Sequence, residues 1–309
     1  MTPRMYPFLS AVARRRLRRG LALGLGGLLL VAGCRRDAES TVTVGSKDFT
    51  EQLILAELMA QTIEARTDLA VRRRLNLGGT MICHAALVRG DIDVYAEYTG
   101  TALTAILNRP VVPDPERVYA LVQEAYADAF DCTWLAPFGF NNTYAITVRD
   151  AFAREHGLET IGDLEPLAGE MTAGFTAEFT VREDGYPGLR EAYGFAFSRT
   201  RDMDPSLMYR ALNRGDVDVI AAFATDGRIV AYKLRMLADE RNFFPPYQAA
   251  PVVTRALAER HPEAIEALNR LAGTIDDETM RRLNAEVDEE GRDVAETARR
   301  FLREAGVID

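Results

Sequence analysis

The sequence is poor in the residue types that most often build catalytic and metal centres. Its 309 residues include three histidines and three cysteines, with no C-x-x-C pair, no Cys/His cluster and no G-x-S-x-G motif. His84, His156 and His261 stand apart, none beside a Ser or Cys in a recognisable catalytic pattern. The sequence therefore favours a protein that is not an enzyme and that carries neither a metal nor another cofactor.

The N-terminal apolar run is too short to cross a membrane. It extends over the 14 residues from Gly20 to Gly33, whereas a spanning helix needs about 20. Six arginines precede the run, and the small residues Val31, Ala32 and Gly33 end it. This order is typical of a secretory signal. We predict a signal peptide over residues 1–33; an uncleaved signal anchor is the alternative.

Basic residues are scarce once this segment is removed. Taking its six arginines from the 37 basic residues leaves 31, against 46 acidic residues, a net charge of −15. Such a surface repels phosphate backbones, which argues against nucleic acid as a partner. The remaining length suffices for two domains. In an oxidising compartment Cys83 and Cys132 could pair, but we favour two separate buried thiols.

The pattern of the chain predicts an α/β fold. A β-branched strand at residues 41–44 follows a polar linker over residues 34–40. Asp48 and Glu51 have the spacing of a capping box, and a second strand is expected around residues 75–77 before a helix capped by Thr80. Residues 144–248 repeat this alternation of strands and helices, which indicates largely parallel sheets. Beyond Pro246 the pattern becomes almost entirely helical.

One phrase occurs twice, as ALVRGDIDVYAEY at residues 86–98 and ALNRGDVDVIAAF at residues 211–223. In each copy a helix should end at Arg-Gly and a strand should lead to an aromatic residue, Tyr98 or Phe223. Ligands of open α/β sheets bind at the carboxyl ends of strands. Two facing lobes would bring both rings into one cleft. Chance reuse of a common helix-to-strand connection is the alternative, and the aspartates of the phrase are expected to be structural.

Six motifs in order resemble one family. They are GSKDFTEQ (45–52), EYTGTAL (97–103), TWLAPFGFNNTYA (133–145), DGYPGL (184–189), FATDGR (223–228) and FFPPYQAAP (243–251). Together they resemble the substrate-binding protein of an ABC importer for osmoprotectants such as glycine betaine, choline and carnitine. The residues VAGC at 31–34 likewise resemble the lipobox of bacterial lipoproteins, whose cysteine is lipidated.

The resemblance implies the two-lobed periplasmic-binding-protein fold of type II, with a ligand cleft between the lobes. Each lobe is expected to be a mostly parallel sheet flanked by helices. Lobe 1 would comprise residues 41–143 and 249–309, and lobe 2 residues 144–248. The resemblance also implies a monomer with an ABC permease and its ATPase as partners. It would be anchored through lipid on Cys34, in the periplasm or on the outer face of the cell membrane.

The resemblance further implies a set of ligand-binding residues. An aromatic box for the cation would consist of Tyr98, Tyr144, Phe223 and Tyr247, where the family usually has tyrosine at the position of Phe223. The carboxylate of a betaine would contact Lys47 and Arg182. Neutral hydrogen bonds would come from Gln52, Thr101 and Asn142. Purely structural roles are the alternative for each, including a pairing of Arg182 with Glu183 or Asp184.

The chemistry of the ligand supports such a box independently. A quaternary ammonium has no N–H to donate, so it is held by the negative faces of aromatic rings. Lobe closure around the cation would stabilise the bound state. A polyamine or basic amino acid is the alternative ligand, which acidic side chains between the rings would favour. A component that presents its ligand to a membrane sensor is the alternative role.

Overall fold

The computed structural model describes residues 40–309; the predicted signal peptide and Cys34 lie outside them. The strands are β1 (Thr41–Gly45), β2 (Ala70–Arg74), β3 (Val94–Tyr98), β4 (Cys132–Trp134), β5 (Tyr144–Arg149), β6 (Thr172–Phe175), β7 (Arg199–Asp202), β8 (Val219–Phe223), β9 (Leu234–Met236) and β10 (Ala249–Thr254).

The helices are α1 (Thr50–Arg66), α2 (Thr80–Val88), α3 (Thr99–Thr101), α4 (Pro115–Phe130), α5 (Asp150–His156), α6 (Glu165–Ala168), α7 (Ala177–Val181), α8 (Tyr186–Tyr193), α9 (Pro205–Arg214), α10 (Arg228–Ala231), α11 (Arg255–Arg260), α12 (Pro262–Asn269), α13 (Asp277–Asp288) and α14 (Val294–Glu304). A π-helical stretch, Ala102–Ile106, continues α3, and a 3₁₀ turn, Gly162–Leu164, precedes α6. None of the helices within residues 40–309 combines the length and apolarity that a bilayer span requires.

The strands form two sheets of the same design, which confirms the predicted fold class. The orders are β2-β1-β3-β10-β4 and β7-β6-β8-β5-β9. In each sheet the first three strands are parallel and the last two pairings are antiparallel. The sheets are therefore mixed, because β10 and β5 each run against the parallel set. The division into lobes at residues 143/144 and 248/249 stays a prediction.

Each copy of the repeated phrase ends in one of the equivalent strands β3 and β8. The Oδ2 atom of Asp93 accepts a hydrogen bond of 2.7 Å from the backbone N–H of Thr43, and the Asp93 N–H donates to the Thr43 carbonyl at 2.8 Å. Asp218 makes the same two bonds with Thr172, at 2.9 and 2.8 Å. Each aspartate thus fixes its strand against the neighbouring parallel strand, as expected of a structural residue.

Replacing Asp93 by alanine should lower the free energy of unfolding by about 1–2 kcal/mol, because a backbone N–H at the sheet loses its charged acceptor. Asp91→Ala is the matched control, since Asp91 is exposed and pairs with Arg89, which is also exposed. We expect the control to change stability by less than about 0.5 kcal/mol. Urea denaturation measures both, and equal losses would contradict a structural role for Asp93.

Four local expectations were wrong. The helix α1 begins after Phe49 without a side-chain cap, and Asp48 is exposed, so there is no capping box. The second strand ends at Arg74 rather than covering residues 75–77, where Asn76 has a left-handed φ of 58°. Thr80 is the first residue of α2, not its cap. The region after Pro246, expected to be almost entirely helical, also contains β10, a buried interior strand of its sheet.

Cys83 and Cys132 are free buried thiols, as the sequence favoured. Burial raises the pKa of the Cys83 thiol to about 12 and that of Cys132 to about 11. Both thiols therefore stay protonated and pack as apolar groups.

Candidate ligand-binding site

A cavity of about 460 Å³ lies where the carboxyl ends of β3 and β8 face each other. This volume is within the usual range for small-molecule sites. Eight of the nine side chains predicted to bind ligand line it: Lys47, Tyr98, Thr101, Asn142, Tyr144, Arg182, Phe223 and Tyr247. The ninth, Gln52, lies behind the wall. Its amide donates to the Tyr98 hydroxyl at 3.1 Å and its Oε1 accepts from the Lys47 N–H at 3.4 Å.

The aromatic side chains form a continuous group. Tyr144 is central, with its ring centroid 5.5 Å from that of Phe223 and 5.5 Å from that of Tyr247. Phe49 lies between Phe223 and Tyr98, stacked on the first at 5.3 Å and on the second at 6.3 Å. Phe49 was not among the predicted residues, although it stands in the GSKDFTEQ motif. Five rings, not four, therefore surround the cavity.

Hydrogen bonds fix the two deepest tyrosines. The Tyr98 hydroxyl donates to Glu51 at 2.7 Å, and the Tyr247 hydroxyl donates to Asp184 at 2.6 Å. Burial raises the pKa of both phenols well above the ordinary value. Both phenols therefore stay neutral at physiological pH.

Glu51 is the second residue of the site that was not predicted from the sequence. Its buried carboxylate accepts hydrogen bonds from Tyr98, Asn142, Thr225 and Asn284. These partners come from positions as far apart as 98 and 284, so one side chain ties together distant parts of the chain behind the cavity. Burial raises the pKa of the Glu51 carboxyl above its ordinary value, and the four hydrogen bonds oppose that rise.

The raised pKa predicts how Glu51 links stability to pH. Folding favours the protonated acid, so the wild-type protein should gain stability relative to Glu51→Gln as pH falls through the folded-state pKa. The gain should be complete below the ordinary pKa of 4.5. Urea denaturation of both proteins at pH 7 and pH 5 measures this difference. A difference that is constant, or that moves the other way, would contradict the assignment.

Lys47 forms a buried ion pair with Glu97. Its ammonium donates to Glu97 at 2.6 Å and to the Thr80 hydroxyl at 3.0 Å, and the Lys47 and Glu97 side chains are both buried. The same ammonium lies 5.1 Å from the centroid of the Tyr98 ring. Lys47 therefore lines the cavity, but its positive charge is balanced by Glu97.

Arg182 is paired in the same way. Its Nε donates to Asp184 Oδ1 at 2.8 Å, and its Nη2 donates to the second oxygen of the same carboxylate. The Asp184 side chain is completely buried. The Nη2 atom also lies 3.4 Å from the Thr101 hydroxyl, so the guanidinium joins Thr101 to the carboxylate that holds Tyr247.

Three acidic side chains also line the cavity: Asp48, Glu178 and Asp204. None of the nine side chains predicted to bind ligand is acidic, so these three acids were not predicted from the sequence. They give the cavity wall an excess of negative charge. Within residues 40–309, no group of three or more His, Cys, Asp or Glu side chains is arranged to hold a metal ion.

Known proteins are similar to this chain in sequence. The family model for the substrate-binding domain of ABC-type glycine betaine transport systems matches residues 40–304. The carnitine transport binding protein OpuCC of Listeria monocytogenes is 36% identical over 282 residues, which cover 91% of this chain and 89% of that protein. The glycine-betaine-binding protein of Pseudomonas aeruginosa is 34% identical over 306 residues, covering 95% and 96%.

A solved structure agrees with these sequence matches. The crystal structure of a glycine betaine/carnitine/choline ABC transporter protein superimposes with a TM-score of 0.72 at 35% identity. The match covers 87% of this chain and 100% of that one. The chain therefore belongs to the family of substrate-binding domains of ABC-type glycine betaine transport systems.

Proposed function

We propose that the protein binds a quaternary ammonium compound and delivers it to an ABC permease. The observation that carries the proposal is the group of five rings around one cavity, formed by Phe49, Tyr98, Tyr144, Phe223 and Tyr247. A methylated cation is attracted to ring faces by about 0.5–2 kcal/mol per contact, more where water is excluded. Several such contacts support binding at about micromolar affinity.

The family sets the context of this activity. Its members are extracytoplasmic components that take a small molecule and have a permease as partner. For this chain we further propose a monomer that is tethered by lipid on Cys34 and serves a permease with its ATPase. Glycine betaine, choline and carnitine are the candidate ligands, because relatives are named for carnitine or glycine betaine and a similar solved structure for glycine betaine, carnitine and choline.

Binding is proposed to close two lobes, residues 41–143 with 249–309 and residues 144–248, around the ligand. Contacts between these segments support the proposal. The Thr225 hydroxyl donates to Glu51, and the Thr80 N–H donates to Glu178. A ligand that touches Tyr98 on one side and Phe223 on the other would favour the closed state, because only closure surrounds the cation.

The acids on the wall favour one second candidate, a polyamine or basic amino acid. Primary ammonium groups need hydrogen-bond acceptors, which Asp48, Glu178 and Asp204 could supply. The rings favour the quaternary cation, since ring faces replace the hydrogen bonds it cannot make. We therefore place the methylated cation first.

Calorimetric titration distinguishes a quaternary ammonium ligand from a polyamine or basic amino acid. Tetramethylammonium, choline, glycine betaine and carnitine are compared with spermidine and arginine. We expect at least one trimethylammonium compound to bind at about micromolar affinity and the primary amines to bind far more weakly. Binding of spermidine or arginine alone would overturn the proposal.

A further inference from the structure

Glu178, on α7, lines the cavity and contacts the start of α2. Its Oε1 atom accepts a 2.7 Å hydrogen bond from the Thr80 N–H, and its Oε2 accepts from the Thr80 hydroxyl at 3.3 Å. The backbone at Gly79 leaves the room this needs, because a Cβ there would lie 2.1 Å from Glu178 Oε1. A carboxylate is thus seated on the N-terminus of a nine-residue helix, which favours negative charge.

The Glu178 carboxylate lies near the two basic side chains that a ligand's carboxylate would contact. The Lys47 ammonium lies 3.0 Å from the same Thr80 hydroxyl. The Arg182 Nη1 atom lies 3.9 Å from Glu178 Oε2. Lys47 and Arg182 are the two cations that the family resemblance assigns to the carboxylate of a betaine. Glu178, whose side chain is 39% exposed, therefore lies close to Arg182 and shares the Thr80 hydroxyl with Lys47.

The charges that line the cavity offer little attraction to the carboxylate of a ligand. Lys47 and Arg182 are the basic residues among the described side chains that line the cavity, and each is already paired with a fully buried carboxylate, Glu97 or Asp184. The acids that line the cavity, Glu178 among them, are additional. An incoming carboxylate would meet like charge, which disfavours binding of that partner.

We propose that Glu178 is a specificity-determining residue that fills the position of a ligand carboxylate. The site then selects quaternary ammonium compounds with an uncharged polar tail, such as a quaternary ammonium alcohol, over zwitterionic betaines. This inference rests on the proposed function and narrows its substrate class. Thr101 and Asn142, which also line the cavity, supply neutral partners for a hydroxyl.

The test compares choline and glycine betaine, which share the trimethylammonium head and differ in the tail. Both are titrated by calorimetry into wild-type protein, Glu178→Gln and Glu183→Gln. Glutamine keeps an acceptor for the Thr80 N–H, so the fold and the seat are retained. Glu183 is the matched control, since it is exposed, lies five residues away and loses the same charge. Thermal unfolding checks that all three proteins are folded.

Wild-type protein and Glu183→Gln should bind choline at least about tenfold more tightly than glycine betaine. In Glu178→Gln that preference should shrink several-fold, mainly through tighter binding of glycine betaine. A preference for glycine betaine in wild type, or a ratio that Glu178→Gln leaves unchanged, would overturn the inference. Tetramethylammonium, which consists of the cationic head alone, separates failure of the proposed function from failure of this inference. If it and both test ligands fail to bind wild type, the proposed function fails and this inference falls with it.

Discussion

Phe223→Leu should weaken the binding of choline by about tenfold, because one aromatic face is lost from the wall of the cavity. Leucine keeps most of the apolar volume and adds no polar group, so the change removes mainly the electrostatic attraction of the ring. Phe223 stacks on Phe49 and contacts Tyr144. It is half-buried at the end of β8, a position where leucine can be accommodated. Calorimetry gives the dissociation constants.

The matched control is Phe152→Leu. Phe152 is a half-buried ring in α5 that contacts His156 and Arg149 and does not line the cavity. The same substitution there should leave choline affinity unchanged within about twofold. Equal weakening in both variants, or none in Phe223→Leu, would contradict the role of the ring.

Asp184→Leu should lower the free energy of unfolding by about 3–5 kcal/mol, since it leaves the Arg182 guanidinium buried without its carboxylate. The Asp184 side chain is fully buried and that of Arg182 nearly so. Asp184 also accepts the hydrogen bond from the Tyr247 hydroxyl. The variant should therefore loosen one wall of the aromatic group and weaken choline binding as well. Guanidinium denaturation measures the first effect and calorimetry the second.

The double variant Asp184→Leu with Arg182→Met separates charge burial from packing. Removing both charges should restore much of the lost stability, because replacing a whole buried ion pair by apolar groups is often nearly neutral. A double variant as unstable as Asp184→Leu would show that packing, not the unpaired guanidinium, causes the loss.

The repeated phrase shows how far sequence reasoning reaches. It placed Tyr98 and Phe223 at the carboxyl ends of equivalent strands, because a helix, a glycine with positive φ and a β-branched run are local signals. The glycines after the two helices, Gly90 and Gly215, have φ of 72° and 81°. Local pattern therefore predicted the strands that frame the site.

The partners of the site residues were beyond the reach of local pattern. Glu97 lies 50 residues from Lys47, and Asn284 lies 233 residues from Glu51. Such contacts depend on how the sheets assemble, which no periodicity encodes. Glu51 was assigned to a capping box because its spacing from Asp48 fits one. In the structure its side chain is buried and accepts a hydrogen bond from Tyr98, behind the cavity, instead. The pairing of Arg182 with Asp184, two residues on, was among the alternatives left open.

The same distinction applies to β10. Its sequence, AAPVVT, lies between a proline-rich loop and a long helical region, so its local surroundings favoured helix. It became a strand because β3 and β4 pair with it from both sides. Tertiary pairing outweighed local preference there.

Attraction between positive charge and ring faces is measured most directly by comparing choline with 3,3-dimethylbutan-1-ol, its uncharged carbon isostere. The two share shape and hydroxyl group and differ in the charge of the head. Calorimetry on wild-type protein should give choline an affinity at least about tenfold higher. Equal affinities would mean that the rings offer only an apolar pocket, and would contradict recognition of the cation by the aromatic group.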